Sequence, residues 1–288
     1  MVERANVLRK LGKSGITASD ISSQLWCEKQ MELNYMYGKR YTKAMTEGSR
    51  IHSELEDEVR VALSAEPITY YDSLYKIGYE SYFALKGLAE KKIGREIRIY
   101  GSVNGYRITG QIDELRLKGG NTVVVENKTK ESGKPIDEAV LRPHRAQVML
   151  YRKMLDDIKS GAYSYENFAS TYRIGSGELS EQFVKQLKVL GLESGMISLS
   201  KIYSSVFDAI MSLPKLSDKL EIHYIDRFTG STIADVYVEY SADQINSILV
   251  DSMGYWNGER EARPVPREEK WKCNFCKFFG RECKVYSK

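Results

Sequence analysis

The stretch GQIDELRLKGGNTVVVENK, residues 110–128, decides the fold because two alternating runs of apolar and polar residues flank the pair Gly119-Gly120. Such alternation predicts half-buried strands, and a glycine pair between them predicts a tight hairpin turn. With the turn centred on the two glycines, Asp113 faces Glu126, so their Cβ atoms should lie roughly 5 Å apart. Glu126 and Lys128 share one face of the second strand because side chains alternate in direction.

Two opposed carboxylates and a lysine at the end of an apolar surface predict a metal-dependent site. Like charges that face each other destabilise a sheet, and burial would drive one carboxylate to take up a proton. A divalent cation removes that conflict, and carboxylate oxygens suit Mg²⁺ or Mn²⁺. Lys128 would orient an attacking water and stabilise charge on a phosphate that the metal polarises. An ordinary surface hairpin is the alternative that this pattern alone leaves open.

An upstream histidine is the candidate for a further metal ligand. The apolar spacing predicts a helix over 43–63, and His52 lies on its apolar stripe together with Leu55 and Val59. A neutral imidazole in that position would be a good ligand. A histidine that is simply hydrogen-bonded in the core is the other interpretation.

A predicted helix from Pro143 to Lys159 should bring more polar groups to the hairpin. Gln147 and Tyr151 are four residues apart, so they share one helix face. A surface glutamine and a core aromatic are the purely structural alternatives for these two residues. The expected start of the helix is crowded with basic residues, where free backbone N–H groups favour anions. We therefore predict phosphate contacts for DNA at Arg142, His144 and Arg145.

The remaining periodicities predict further helices and strands on both sides of the hairpin. Apolar spacing typical of helices and short alternating runs typical of strands follow one another along the chain. Helices are predicted over 16–37, 72–93, 180–192, 199–213 and 242–256, and strands over Arg98–Val103, Arg107–Lys118, Thr122–Lys130, Glu221–Asp226 and Thr232–Tyr240.

The cysteines predict a metal site that joins the two ends of the chain. Disulfides are disfavoured because no secretory signal is recognisable. Four thiolates suit zinc and an iron–sulfur cluster equally well as far as spacing goes. A metal or cluster bound by the four thiolates would close a loop that contains most of the chain, so we interpret the site as structural. Its ligands would be Cys27, Cys273, Cys276 and Cys283.

The composition excludes few classes of protein. The net charge of +4 permits nucleic-acid binding without demanding it. Charged residues at 28% and apolar residues at 42% are ordinary for a globular protein. No apolar run approaches the ~20 residues needed to span a bilayer. The basic segment Met1–Gly15 lacks the apolar core of a secretory signal, so we expect a cytoplasmic protein; a short disordered arm and an organelle presequence stay open for that segment.

Together, these residues resemble the RecB-type nuclease branch of the PD-(D/E)xK superfamily. More narrowly, they resemble exonuclease V and the related iron–sulfur nucleases of CRISPR adaptation. The motifs follow the family's order and bracket almost the whole chain, although 160–260 contributes none. One departure is Ile112, where the family motif often has proline. The matching segments are Ile16–Cys27, Glu47–His52, Gly110–Asp113, Val125–Thr129, Gln147–Tyr151 and the three terminal cysteines.

The resemblance implies a role for each matched residue. Lys128 should be catalytic together with the two carboxylates, and Gln147 and Tyr151 should support the site or the DNA strand. The four cysteines should hold a 4Fe–4S cluster. The ligands of Mg²⁺ or Mn²⁺ should be His52, Asp113, Glu126 and the backbone carbonyl of Asn127.

The resemblance also implies an activity: a monomeric exonuclease that hydrolyses single-stranded DNA in repair or replication, with single-strand-binding protein as a further partner. The alternatives are a non-catalytic nucleic-acid-binding protein with a structural iron–sulfur or zinc site, and a zinc-dependent interaction module. The resemblance implies an α/β fold with a central mixed sheet that carries the hairpin and is flanked by helices. A single nuclease domain should span 1–288. Its parts would be a helical N-terminal part (1–95), the catalytic sheet and helix (96–160), a helical and hairpin completion of the core (161–260) and the cysteine tail (261–288).

Overall fold

The computed structural model describes residues 7–39, 46–47, 50–51 and 62–286. Within these ranges a mixed sheet of six strands forms the centre of the molecule. The strands are β1 (Ile16–Thr17), β2 (Ile93–Val103), β3 (Tyr106–Lys118), β4 (Asn121–Lys130), β5 (Lys219–Asp226) and β6 (Thr232–Glu239). The antiparallel pairs are β2–β3, β3–β4 and β5–β6, and the parallel pairs are β1–β3 and β4–β5.

Helices cover the sheet and bury a continuous apolar core that draws on residues from Val7 to Ala262. Short 3₁₀ segments occupy Ile174–Ser176, Ser194–Met196 and Arg267–Phe275. In the described ranges no helix has the length and apolar character needed to cross a membrane. The α-helices are α1 (Val7–Lys10), α2 (Ala18–Tyr37), α3 (Tyr70–Lys91), α4 (Glu138–Lys159), α5 (Tyr165–Tyr172), α6 (Glu181–Val189), α7 (Leu199–Met211) and α8 (Ala242–Trp256).

One edge of β3 is divided between two partners, and this division positions the candidate site. Strand β2 pairs with β3 along its full length and occupies the other edge. On the divided edge, β4 pairs from Glu114 to Lys118, and β1 pairs only with Ile108 and Thr109. Between them, in the described part of the chain, no strand pairs with Gly110–Asp113 on this edge. We call this gap the fork.

Helix α2 is held in place by residues from the far end of the chain. The Trp256 indole N–H donates to Gln24 Oε1 at 2.9 Å, and Arg260 forms an ion pair with Glu28. The buried Lys272 ammonium donates to the Trp26 carbonyl at 3.3 Å and lies 4.2 Å from the centre of the Trp26 ring. The N-terminal helix and the tail therefore pack together, as the sequence predicts.

Most predicted elements are confirmed, and the departures have local causes. The prediction for 242–256 matches α8, and α3, α6 and α7 begin or end within three residues of their predictions. Ile16 and Thr17 belong to β1 rather than to a helix, and Thr17 caps α2 by accepting the backbone N–H of Asp20. Helix α5 was not predicted, and most of the predicted helix over 43–63 lies outside the described residues.

The predicted start of α4 at Pro143 is wrong. The helix begins at Glu138 because the Asp137 side chain caps it, accepting the Val140 backbone N–H at 2.9 Å. Pro143 therefore lies in the second turn, and its carbonyl accepts the Ser22 hydroxyl at 3.0 Å. The basic residues around Pro143 consequently do not surround free N–H groups at a helix end.

Candidate active site

The hairpin has the register that the glycine pair predicts. Lys118 pairs with Asn121, and the ladder continues to Glu114 opposite Val125. Gly119 and Gly120 have φ values of +57° and +77°, as a two-residue turn with both central residues left-handed requires. Beyond Glu114 the ladder ends, and the Asn127 backbone N–H donates to Asp113 Oδ2 at 2.9 Å instead. A side chain thus replaces a backbone partner where the fork opens.

Glu126 is the most perturbed group of the fork. Its side chain is 1% exposed, and one carboxylate oxygen bonds the Lys128 ammonium. The other oxygen, Oε2, is buried without a hydrogen-bond partner in the described structure. Burial, and next the negative charge of Asp113, raise the pKa of Glu126 to about 8. A buried oxygen without a donor costs free energy, and a cation bound between the two carboxylates would remove that cost.

A chain of hydrogen bonds fixes the catalytic candidates relative to one another. The Lys128 ammonium donates to Gln147 Oε1 at 3.2 Å, and Gln147 Nε2 donates to the Tyr151 hydroxyl at 2.9 Å. Burial lowers the pKa of Lys128, but the charges of Glu126 and Asp113 outweigh burial, and the net pKa is raised. Burial raises the pKa of Tyr151 well above its usual value, so the phenol stays protonated. The fork thus presents one fixed cation beside two carboxylates.

An open cavity at the fork is lined by thirteen residues, among them all five predicted catalytic residues. Its walls are formed by β1 and the start of α2, by strands β2, β3 and β4, and by α4. The lining residues are Thr17, Ala18, Ser19, Glu96, Arg98, Thr109, Gly110, Gln111, Asp113, Glu126, Lys128, Gln147 and Tyr151.

Gly110 leaves room for the Tyr151 ring, which predicts a destabilising substitution. A Cβ at position 110 would lie 2.6 Å from Tyr151 Cε1, and that ring is 2% exposed. We expect Gly110→Ala to lower the free energy of unfolding by about 1–3 kcal/mol, the usual cost of overpacking. Urea unfolding would measure it. Gly87→Ala in α3 is the matched control because no atom lies within 4 Å of its added Cβ; equal stability of the two variants would contradict the prediction.

Two predicted metal ligands need separate comment. His52 lies outside the described residues, so its role stays a prediction. Asn127 lies at the fork with its backbone N–H bonded to Asp113, and the role of its carbonyl as a ligand is likewise a prediction. In the described part of the chain, no three histidine, cysteine or acidic side chains gather around one ion position.

Glu96 is a third carboxylate of the cavity that the sequence interpretation missed. The β2–β3 register pairs Arg95 with Glu114 and Ile97 with Ile112, which sets Glu96 opposite Asp113. Its φ of +56° is left-handed, a conformation that costs a non-glycine residue about 1–2 kcal/mol. Its charge adds to the rise in the pKa of Glu126, and its carboxylate accepts the Gln111 side-chain amide. The sequence signal for this residue is the Asn104-Gly105 turn. Extending the register of that hairpin along both strands places Glu96 opposite Asp113.

The residues predicted to bind DNA phosphates have protein partners and do not line the cavity. Arg142 bonds both oxygens of Glu269 at 2.8 and 2.9 Å, and Arg145 pairs with Glu138 at 2.8 Å. Burial, and next the charge of Lys128, lower the pKa of His144 to about 3, so its ring is neutral. A DNA contact at these residues stays a prediction.

All four cysteines line one apolar cavity together with Trp26 and Phe279. Helix α2 is broken at Cys27, whose backbone is extended rather than helical. Burial raises the pKa of its thiol to about 11, opposed by backbone N–H groups, and the nearby Cys276 and Cys283 raise it further. The pKa of the Cys273 thiol is also raised, first by burial and then by the charges of the same two cysteines. The tail and α2 therefore bring the thiols together across the chain.

Comparisons with known proteins identify the family to which the sequence is similar. A family model described as "Exonuclease V - a 5' deoxyribonuclease" matches residues 5–122, 118–208 and 196–285. Exonuclease V of Danio rerio is 24% identical over 276 residues, which cover 93% of this chain and 70% of that protein. A mitochondrial exonuclease V of Debaryomyces hansenii is 33% identical over 69 residues, 24% of this chain and 11% of the relative.

A solved structure, the crystal structure of SSO0001, covers 96% of this chain and 94% of its own at 13% identity. The TM-score between the two structures is 0.46. The family model spans nearly all of the sequence and both motif-bearing ends. The chain therefore belongs to the exonuclease V family of DNA exonucleases.

Proposed function

We propose that this chain is a metal-dependent exonuclease that hydrolyses single-stranded DNA. The observation that carries the proposal is Glu126 Oε2, a buried carboxylate oxygen without a hydrogen-bond partner in the described structure, beside Asp113 and Lys128. The family description as a 5' deoxyribonuclease supports attack from 5′ ends. Monomeric action, a role in repair or replication and a contact with single-strand-binding protein belong to the same proposal.

The donor set fits Mg²⁺ or Mn²⁺, which would be held by Asp113, Glu126, the Asn127 carbonyl and His52. When bound, the metal supplies a Lewis acid that polarises the phosphate and acidifies a water. Lys128 holds its proton and places positive charge where the phosphate gains negative charge. Gln147 keeps the ammonium in place, and Tyr151 in turn supports Gln147.

Burial of the site supports a preference for single strands. Glu126 is 1% exposed, and the Lys128 side chain is 23% exposed, so a phosphate must enter the cavity to reach them. A duplex is stiff, with a persistence length of about 150 base pairs, and bending it into a cleft costs energy. A single strand enters without that cost.

A nuclease assay tests the proposal. Single-stranded, double-stranded and RNA substrates, each labelled at the 5′ or the 3′ end, are incubated with Mg²⁺, Mn²⁺ or EDTA. We expect metal-dependent loss of single-stranded DNA, with release from the 5′ end first. A protein that binds DNA but cuts no substrate with either metal would leave the non-catalytic binding protein as the better interpretation.

We further propose that the four cysteines hold a 4Fe–4S cluster with a structural role. Four thiolates suit both zinc and a 4Fe–4S cluster, and the four cysteines line one cavity together with Trp26 and Phe279. The resemblance to iron–sulfur nucleases favours the cluster. The aromatic lining would shield such a cluster from solvent.

Cluster content and stability are measurable together. Anaerobically purified protein should be brown, with iron and sulfide in equal amounts, and Cys283→Ser should lose the colour. Because α2 and the tail meet at this site, cluster loss should also lower the thermal unfolding temperature. Colourless protein that contains zinc would overturn the proposal in favour of a zinc site.

A further inference from the structure

A second cleft, distinct from the fork, combines tyrosines with arginines. It lies at the Asn104-Gly105 end of β2 and β3, between α1, the start of α3 and the end of α5. None of its lining residues is acidic, and two are arginines. They are Leu8, Ser14, Tyr70, Tyr71, Gly105, Tyr106, Arg107, Thr171, Tyr172 and Arg173.

The aromatic groups of this cleft are held in fixed positions. Tyr70 is 57% exposed although it is the first residue of α3, and its ring packs edge-on against Tyr71 at 5.3 Å. The Tyr71 hydroxyl donates to the Arg173 carbonyl. A large exposed ring that is held in place by a second ring can stack with a planar partner at little cost in conformational entropy.

The cationic groups are equally well placed. The Arg107 guanidinium lies 5.3 Å from the centre of the Tyr172 ring, and its Nε donates to the Ser14 carbonyl. Arg173 caps α5 in a left-handed conformation, with φ of +54°, and its side chain is exposed. Aromatic faces next to arginines suit bases and phosphates together, the combination found in surfaces that bind single strands.

The cleft and the fork lie along the same strand. Arg107 and Asp113 are six residues apart on β3, about 20 Å at the rise of a strand. Among the described residues, the two residues of β1 pair with β3 between them on that edge. Ser14, just before β1, lines the cleft, and Thr17, within β1, lines the fork. A DNA strand advances about 3.4 Å per stacked nucleotide, so at most about six nucleotides span the distance between the cleft and the fork.

We infer that this cleft is a binding subsite for single-stranded DNA, in which Tyr70 stacks with a base and Arg173 contacts a phosphate, up to about six nucleotides from the bond that is cut. The inference rests on the proposed function, since it takes the substrate of the fork as its ligand. The subsite would hold the strand while the fork releases successive nucleotides.

The test measures binding rather than cleavage. Fifteen-nucleotide DNA carrying the fluorescent base 2-aminopurine at one position at a time is titrated with protein in EDTA, so that no strand is cut. Stacking against Tyr70 should quench 2-aminopurine at one or two positions. We expect Tyr70→Ala to abolish that quenching and to weaken binding at least about fivefold, the low end for removing one stacking ring. Tyr70→Phe should retain both because stacking needs no hydroxyl.

Arg173→Ala should weaken binding and reduce the slope of log K against log salt by about one, as the loss of one phosphate contact predicts. Tyr237→Ala is the matched control, because Tyr237 is 49% exposed on β6 at the opposite end of the sheet. If the wild type binds and cuts DNA but Tyr70→Ala retains both the quenching and the affinity, the subsite is overturned and the proposed function stands. Wild type that binds no oligonucleotide would overturn both the subsite and the proposed function.

Discussion

Asp113→Ala is expected to lower the rate of DNA hydrolysis by at least about 10²- to 10³-fold, the cost of losing one preorganised electrostatic partner of a transition state. The substitution removes one of two opposed carboxylates from the fork. It also removes the acceptor of the Asn127 backbone N–H at 2.9 Å. DNA affinity in EDTA should be nearly unchanged, because the loss concerns the cation and the reacting phosphate rather than the rest of the strand.

Asp113→Asn separates the charge of this residue from its structural bond. An asparagine oxygen can still accept the Asn127 N–H, and the charge that faces Glu126 is gone, so in EDTA this variant should be at least as stable as the wild type. Asp113→Ala should be less stable than Asp113→Asn by about 1–3 kcal/mol, because a buried donor then lacks its partner. Both variants should be equally inactive in single-turnover cleavage. An Asn variant that cleaves at more than about a tenth of the wild-type rate would show that the charge is not what matters.

Glu126→Gln is expected to change stability and activity in opposite directions. Without metal, Glu126 is buried, lacks a donor at Oε2 and faces the charge of Asp113. A neutral amide removes the repulsion and can donate to Asp113, so the variant in EDTA at pH 8 should be more stable by about 1–3 kcal/mol. Cleavage with Mg²⁺ should fall by at least about 10²-fold, since the amide is a poor ligand for a hard cation.

The raised pKa of Glu126 predicts how the stability of the metal-free protein changes with pH. The pKa of Glu126 is raised from about 4.5 to about 8 on folding, so between these values the folded state holds a proton that the unfolded state has lost. Its contribution to stability is therefore complete below pH 4.5 and is lost as the pH rises through 8. In EDTA, wild type should lose stability across this window relative to Glu126→Gln. Parallel unfolding curves for the two proteins would contradict the assignment.

Metal binding should reverse that dependence. A cation competes with the proton for the same carboxylate, so metal affinity should rise with pH up to about 8. The cleavage rate at subsaturating Mg²⁺ should follow the same rise. Titration of Mn²⁺ by calorimetry at pH 6 and pH 8 would measure the affinity directly, without relying on turnover.

The hairpin could be predicted from the sequence because its determinants are local. A glycine pair fixes the turn, and alternation fixes which side chains share a face with Glu126 and Lys128. Gln147 and Tyr151 could be predicted for the same reason, since helix periodicity places residues four apart on one face. These four residues, with Asp113, line the cavity of the fork.

The fork itself could not be predicted, because it depends on long-range pairing. The two residues of β1 pair with Ile108 and Thr109, near the start of β3 and about ninety residues away in the chain, and no local pattern marks so short a strand. Glu96 was missed because the predicted strand began at Arg98, whereas β2 begins at Ile93 and therefore includes Glu96. The partner of Arg142 is Glu269, 127 positions along the chain, so the sequence alone does not reveal that this arginine is paired with the tail.

The contacts between α2 and the tail have a consequence for biosynthesis. Trp26 and Lys272 are 246 positions apart, so α2 leaves the ribosome long before its partner exists. At about 5–20 residues per second, α2 waits roughly 12–50 s with part of its surface uncovered. Completion of this half of the molecule must therefore follow translation of the cysteine segment, and chaperones that shield α2 during that interval should raise the yield of native protein.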